Sequence, residues 1–163
     1  MSQEVMTLAG RRADRDGWSA AGWCPIERAL ELVGTRSAMV LLREVYFGGR
    51  RFDELVRHAG VTEAVAAKRL KQLVEAGVLA RTPYREPGQR VRYEYVLTER
   101  GGELFPLLLG LKRFGEQLPR EEPGELRLTH AGCGARVESQ VRCEAGHEVP
   151  PGETVARVVN LRD

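Results

Sequence analysis

The sequence has little net charge: 25 Lys and Arg stand against 23 Asp and Glu, a balance of +2 over 163 residues. Bulk charge therefore does not drive it onto nucleic acid, and any basic surface has to come from local placement. No apolar run approaches the roughly 18 residues that a membrane-spanning helix needs. The start, MSQEVMTLAGRRADRDGWSA, has no long apolar segment of the kind a secretory signal carries. These absences lead to the expectation of a cytoplasmic protein without membrane contact. Only three cysteines are present, an odd number that suits a reducing compartment better than a disulfide framework. There is no internal repeat. There is also no Ser/His/acid set, phosphate loop or carboxylate pair placed for acid–base work, so an enzyme is not expected. His58 is the only histidine outside the C-terminal tail and reads as a surface or cap residue.

What is present is an ordinary apolar content of 42% in a chain long enough for one full core and a small appendage. Residues 1–21 are polar and aperiodic and read as a flexible N-terminal arm. LPREEPGE marks a linker over 119–125. It separates a body, 22–118, from a tail, 126–163.

The body is strongly punctuated. Ile26, Leu30 and Val33 recur at helical spacing, with Gly34 as a stop. Thr35 can cap a second helix with Met39, Leu42, Val45 and Tyr46 on its apolar face. Arg50, Arg51 and Phe52 form a short bridge, and DELVRHAG is a short helix closed by Gly60. Thr62 then caps EAVAAKRLKQLVEAG, whose buried stripe is Ala66, Leu70, Leu73 and Val74. Val91, Tyr93, Tyr95 and Leu97 alternate with charged residues, the period of a strand, after a turn at Pro87 and Gly88. Thr98 opens a last helix, weakened or bent by two early glycines and Pro106. Its run Leu104, Phe105, Leu107, Leu108, Leu109 and Leu111 covers more than one face, which calls for a partner surface such as another subunit.

Helix, helix, bridge, helix, glycine, helix, hairpin, helix is the order of a winged helix-turn-helix. The expected fold is mainly α with a small β-hairpin wing, followed by a small all-β ribbon-like tail. The helix from Thr62 to Ala76 is the one placed to enter a DNA major groove. Its outer face carries Glu63, Ala64, Ala67, Lys68 and Lys71. Small residues at 64 and 67 allow close approach to base edges, while Lys68, Arg69 and Lys71 can meet phosphate or guanine. The hairpin tip gathers Arg85, Gln89, Arg90 and Arg92 around one acid, Glu86, which suits a phosphate backbone or narrow groove. Winged helices also serve as protein-interaction modules without specific DNA binding, so that alternative stands beside the first. The charged tip favours DNA.

Three segments carry a family resemblance: CPIERALELVGTRSAMVLLREV, RRFDELVRHAGVTEAVAAKRLKQLVEAGVLAR and RYEYVLTERGGEL. Their combined motifs are C-P, R-F-x-E-L, L-x-x-L-x-x-x-G-V-L-x-R and Y-x-L-T-x-x-G. Together they resemble the HxlR-type, MarR-like winged-helix transcription regulators from Cys24 to about Gln117. The resemblance implies a homodimer held by the first helix, the N-terminal segment and the last helix. It implies a double-stranded, pseudo-palindromic operator read by two recognition helices about one DNA turn apart. A repressor is the expected role, with the effector unspecified. Two positions depart from the pattern: Ser37 stands where the family has a bulky residue, and Ala66 where it has a leucine.

Cys24 precedes Pro25 at a helix start, which favours a thiolate. The resemblance implies an oxidant- or electrophile-sensing cysteine there; a small buried residue at the dimer seam is the other reading. In the tail, His130 and Cys133 are three apart, and Cys143 and His147 four apart, each pair beside a glycine. LRLTH, ARVESQVR and TVARVV read as strands between them. The pattern is that of a zinc ribbon with a Cys₂His₂ set for one structural zinc per chain, or of a relic ribbon held by packing.

Overall fold

In chain order the elements are β1 (Thr7–Ala9), α1 (Pro25–Val33), α2 (Arg36–Tyr46), α3 (Phe52–Ala59), α4 (Glu63–Glu75), β2 (Leu79–Tyr84), β3 (Arg92–Leu97), α5 (Glu99–Gly102), α6 (Phe105–Gly115), a 3-10 turn (Pro151–Glu153) and β4 (Val155–Arg157). The structure, a computed structural model, describes residues 5–10, 22–119, 121 and 124–157. Most of the expected flexible arm, and the end of the TVARVV strand, lie outside the described residues. The chain divides into two units, Gly22–Glu121 and a second made of Met1–Ala21 with Glu122–Asp163. No helix among the described residues is long and apolar enough to cross a membrane.

Caps written in the sequence set the helices of the larger unit. Pro25 occupies the first turn of α1, where its missing N–H breaks no bond. The Gly34 N–H closes the helix on the Leu30 carbonyl at 2.7 Å. Thr35 Oγ1 accepts from the Ala38 N–H at 3.3 Å and starts α2. α2 is the central helix, packed chiefly against α3 and α4. It buries Leu41 as well as the expected Leu42 and Val45. Leu41, Leu42, Leu55, Leu70, Leu73 and Leu79 are the largest fully buried side chains. Each contributes about 1.5–3 kcal/mol relative to exposure. Ala66 is completely buried, and a small side chain there suits the close packing of α4 on α2.

The last helical stretch is two helices, not one. α5 ends at Gly102, and α6 begins with Pro106 in its first turn, a position that tolerates proline. Thr98 fastens the corner: its Oγ1 accepts from the Gly101 N–H at 3.0 Å and donates to the Gly77 carbonyl at 2.6 Å. Tyr46 Oη donates to the Gly101 carbonyl. A Cβ on Gly101 would run into the Val78 carbonyl oxygen, so only glycine lets α5 lie this close to the start of β2.

β2 and β3 form an antiparallel hairpin with Leu79 opposite Leu97 and Tyr84 opposite Arg92. The Arg50–Phe52 bridge joins it: the Tyr95 N–H donates to the Arg50 carbonyl at 2.9 Å, and Arg51 pairs with Glu94. β3 starts only at Arg92, which leaves Val91 exposed in the tip.

The second unit is sparse. β1 and β4 pair in parallel, Thr7 with Val155 and Ala9 with Arg157, so residues from both ends of the sequence share one ladder. The sequence assigned no element to the N-terminal segment, because three residues are too few to show a period. In the tail, single bridges Thr129–Arg136 and Arg142–Glu148 close two turns, where the sequence suggested longer strands. No described residue of this unit is buried.

Candidate nucleic-acid interface

The helix-turn-helix is built by its caps. Glu54 accepts from the N–H of Arg50 at 3.1 Å and of Arg51 at 3.4 Å, which fixes the start of α3. These backbone donors, that of Arg50 foremost, hold the Glu54 carboxyl below its usual range. α3 ends at Gly60, whose left-handed φ of 61° lets the chain turn sharply. Thr62 Oγ1 then accepts from the Val65 N–H at 3.4 Å and starts α4. A buried stripe of Ala66, Leu70 and Leu73 holds one side of α4 to the core.

The opposite side faces solvent. Thr62, Glu63, Ala64, Ala67, Lys68 and Lys71 are all exposed. Ala64, Lys68 and Lys71 fall at i, i+4 and i+7, so they share one face. Lys68 makes no ion pair among the described residues, while Lys71 lies 3.6 Å from Glu75. Arg69 is half-buried on the flank and donates to Gln72 Oε1 at 2.9 Å, so it is less available than its neighbours. Val65 was not singled out from the sequence, yet it is 39% exposed beside Ala64. An apolar residue at the start of such a helix suits a thymine methyl; the only signal for it was its place one step from the small residue at 64.

At the wing tip, Gly88 has a φ of 77°, and the Gln89 N–H donates to the Glu86 carbonyl at 3.0 Å. Arg85 Nε donates to the Gln89 carbonyl at 3.2 Å and so braces the tip. The single acid, Glu86, is taken up by Arg51 at 2.8 Å, and the Arg51 guanidinium lies 4.9 Å over the Tyr84 ring. Arg81 lies 4.2 Å over Tyr93. Among the described residues, Arg85, Arg90 and Arg92 have no carboxylate within ion-pair distance, and all three are exposed with Gln89. The wing thus carries positive charge that no acid at the tip cancels.

Several other side chains singled out by the sequence lie outside α4 and the wing. On α1, Ile26 and Leu30 are 69% and 55% exposed rather than packed in the core, and on α6 Leu111 and Phe114 are 47% and 61% exposed. Leu107, Leu111, Phe114 and Leu118 are spaced four, three and four apart, which makes an apolar stripe. Cys24 is the N-cap residue of α1 and is half-buried, with no side-chain cap bond. His58, in the last turn of α3, lies 3.7 Å from the buried Glu44. In the other unit, His130 Nδ1 lies 3.3 Å from Cys133 Sγ, and His147 Nδ1 lies 3.6 Å from Cys143 Sγ. Among the described residues, no three His, Cys, Asp or Glu side chains are grouped so as to hold a metal ion.

The profile of the HxlR-like helix-turn-helix family matches residues 32–123. An uncharacterised HTH-type transcriptional regulator of Mycobacterium tuberculosis (strain ATCC 25618 / H37Rv) is 40% identical over 126 residues, covering 76% of this chain and 78% of that protein. Among solved structures, PA1607, described as a candidate transcription factor, superposes with a TM-score of 0.72 at 32% identity, covering 88% of this chain and 97% of that one. The redox regulator HypR in its oxidised form gives a TM-score of 0.54 at 29% identity, over 60% of this chain and all of HypR. These relatives are transcription regulators, not enzymes.

Proposed function

The chain belongs to the HxlR-like helix-turn-helix family of DNA-binding transcriptional regulators, and from that premise we propose that it is a homodimeric, sequence-specific repressor. α4 enters the major groove with Ala64, Ala67 and Lys68 toward the base edges. The wing, with Arg85, Gln89, Arg90 and Arg92, lies along the phosphates or the adjacent minor groove. The observation that carries this reading is the solvent face of α4: two alanines and a lysine with no ion pair among the described residues, opposite a fully buried stripe, on a unit whose Arg85, Arg90 and Arg92 have no acid partner among the described residues.

The apolar stripes on α1 and α6 support the dimer. Exposed leucine and phenylalanine at such regular spacing are stabilised when a second copy covers them. Two-fold symmetry then sets a pseudo-palindromic operator with half-sites about 34–36 Å apart.

The test is binding to DNA from its own promoter region, measured against scrambled competitor, together with run-off transcription from that promoter. Wild type is expected to prefer the promoter fragment and to lower transcript yield. Lys68→Ala is expected to cost about 1–3 kcal/mol of binding. Equal affinity for scrambled DNA, or a protein partner bound in place of DNA, would reject sequence-specific readout by α4.

A further inference from the structure

We propose that Arg51, which lies outside both α4 and the wing, is a positioning residue for DNA binding: it draws Glu86 out of the wing tip and so keeps the tip arginines free for phosphate. The inference rests on the reading of the wing as a DNA contact. It starts from a choice of partner. Glu86 has Arg85 as its chain neighbour, with Arg90 and Arg92 a few residues on. A carboxylate beside three guanidiniums has every reason to pair with one of them. Instead Glu86 Oε1 is met at 2.8 Å by Nη2 of Arg51, 35 positions earlier at the start of α3. Glu86 is half-buried, whereas Arg85, Arg90 and Arg92 are exposed.

The same division holds along the whole hairpin. Between Leu79 and Leu97 there are two acids, Glu86 and Glu94. Both are answered from the bridge, Glu86 by Arg51 and Glu94 by Arg50 at the looser distance of 3.8 Å. The four arginines of the hairpin, Arg81, Arg85, Arg90 and Arg92, are left with no carboxylate partner among the described residues.

The backbone holds Arg51 where it can do this. Its bridge to Glu94 lays the Arg50–Phe52 segment beside β3, and the Tyr95 N–H donates to the Arg50 carbonyl at 2.9 Å. On the other side, Glu54 accepts from the Arg51 N–H at 3.4 Å and ties the same residue to α3. The side chain then runs toward the tip. Its guanidinium lies 4.9 Å over the Tyr84 ring and reaches the carboxylate two residues further on. A planar guanidinium can stack on a ring and bond a carboxylate in one pose.

An exposed ion pair of this kind adds little to folding. Its effect is on the charge offered to DNA. Without Arg51, Glu86 falls to one of the tip arginines, and each wing loses one cation from the interface. The rival account is that Arg51 itself touches phosphate, which would make Glu86 irrelevant to its effect.

The experiment measures affinity of the full chain for a labelled fragment of its own promoter over a salt series, with thermal melting as the control. Arg51→Ala should flatten the slope of log affinity against log salt by about 1.8, one cation from each of two wings. Between about 50 and 200 mM salt, the affinity loss should then be about tenfold greater at the low end. Adding Glu86→Gln to Arg51→Ala should restore the wild-type slope, because no acid remains to capture a tip arginine. Glu86→Gln alone should leave the slope at least as steep as in wild type, and Arg51→Lys, which keeps the charge, should hold it. Should the alanine variant melt early, Arg51→Gln takes its place, keeping the aliphatic stem over Tyr84 without the charge. An unchanged slope in Arg51→Ala, a flattening that Glu86→Gln does not reverse, or a flattening in Glu86→Gln alone would overturn the proposal. Arg90→Ala with Arg92→Ala locates the failure: if that variant also leaves the slope unmoved, the wing does not meet phosphate and the functional reading falls with the inference. If it flattens the slope while Arg51→Ala does not, only the role of Arg51 is lost.

Discussion

Removing charge from the wing gives the most demanding test of the interface. Arg90 and Arg92 are exposed and make no ion pair among the described residues, so replacing both with alanine should leave the fold alone. Arg85 is spared because it braces the tip through the Gln89 carbonyl. A dimer carries two wings, so the double variant removes four cations from the complex. Each phosphate neutralised on duplex DNA adds about 0.9 to the slope of log affinity against log salt. If all four meet phosphates, the slope flattens by about 3.6. Over a fourfold change in salt, about 50 to 200 mM, that is about two decades: the loss of affinity should be roughly a hundredfold greater at the low end than at the high end. Fluorescence anisotropy with a labelled promoter fragment measures it, with thermal melting as the control; surface changes of this kind shift stability by less than about 0.5 kcal/mol. A slope that moves by less than about 1, or an affinity loss equal at both salts, would refute wing contact with the backbone. Lost preference at unchanged slope would refute it too, because that outcome means base readout.

Three further outcomes follow from other parts of the fold. Leu111→Glu with Phe114→Glu should convert a dimer into a monomer in sedimentation and abolish operator binding, because four large apolar side chains per dimer lose about 6 kcal/mol or more of burial; a variant that stays dimeric would remove α6 from the interface. Gly101→Ala should lower stability by about 1–3 kcal/mol in urea melts, since its Cβ meets the Val78 carbonyl. Gly102→Ala, which meets nothing, should be neutral or stabilising, and similar results for the two would contradict the close approach. Glu54 has a folded pKa lowered chiefly by the Arg50 N–H, then by that of Arg51. Its contribution is therefore present above the ordinary glutamate value of about 4.3 and lost as pH falls through the lower folded value. Glu54→Gln should lower the melting temperature at neutral pH, with the gap closing in acid; a gap independent of pH would rule out the charge-assisted cap.

The sequence by itself determined the helix-turn-helix and its wing. Thr35, Thr62 and Thr98 each cap the helix that follows through their own Oγ1, and Gly60 makes the turn. Such caps act over three or four residues, so they are readable in the sequence. The outward face of α4 was legible for the same reason, since helical period alone separates Lys68 from Leu70. Tertiary structure decided what depends on partners distant in sequence. Ile26 and Leu30 look like core by spacing, but none of the described elements covers them. Glu86 looks like a charge at the wing tip, but Arg51, 35 positions earlier, neutralises it. Arg69 reads as one more groove-facing cation until Gln72 holds it at the flank. Thr7–Ala9 is three residues without a pattern, and only pairing with Val155–Arg157 makes it a strand. Local hydrogen bonds are written in neighbouring residues; burial, charge pairing and strand partnership are set by whichever residues the fold brings alongside.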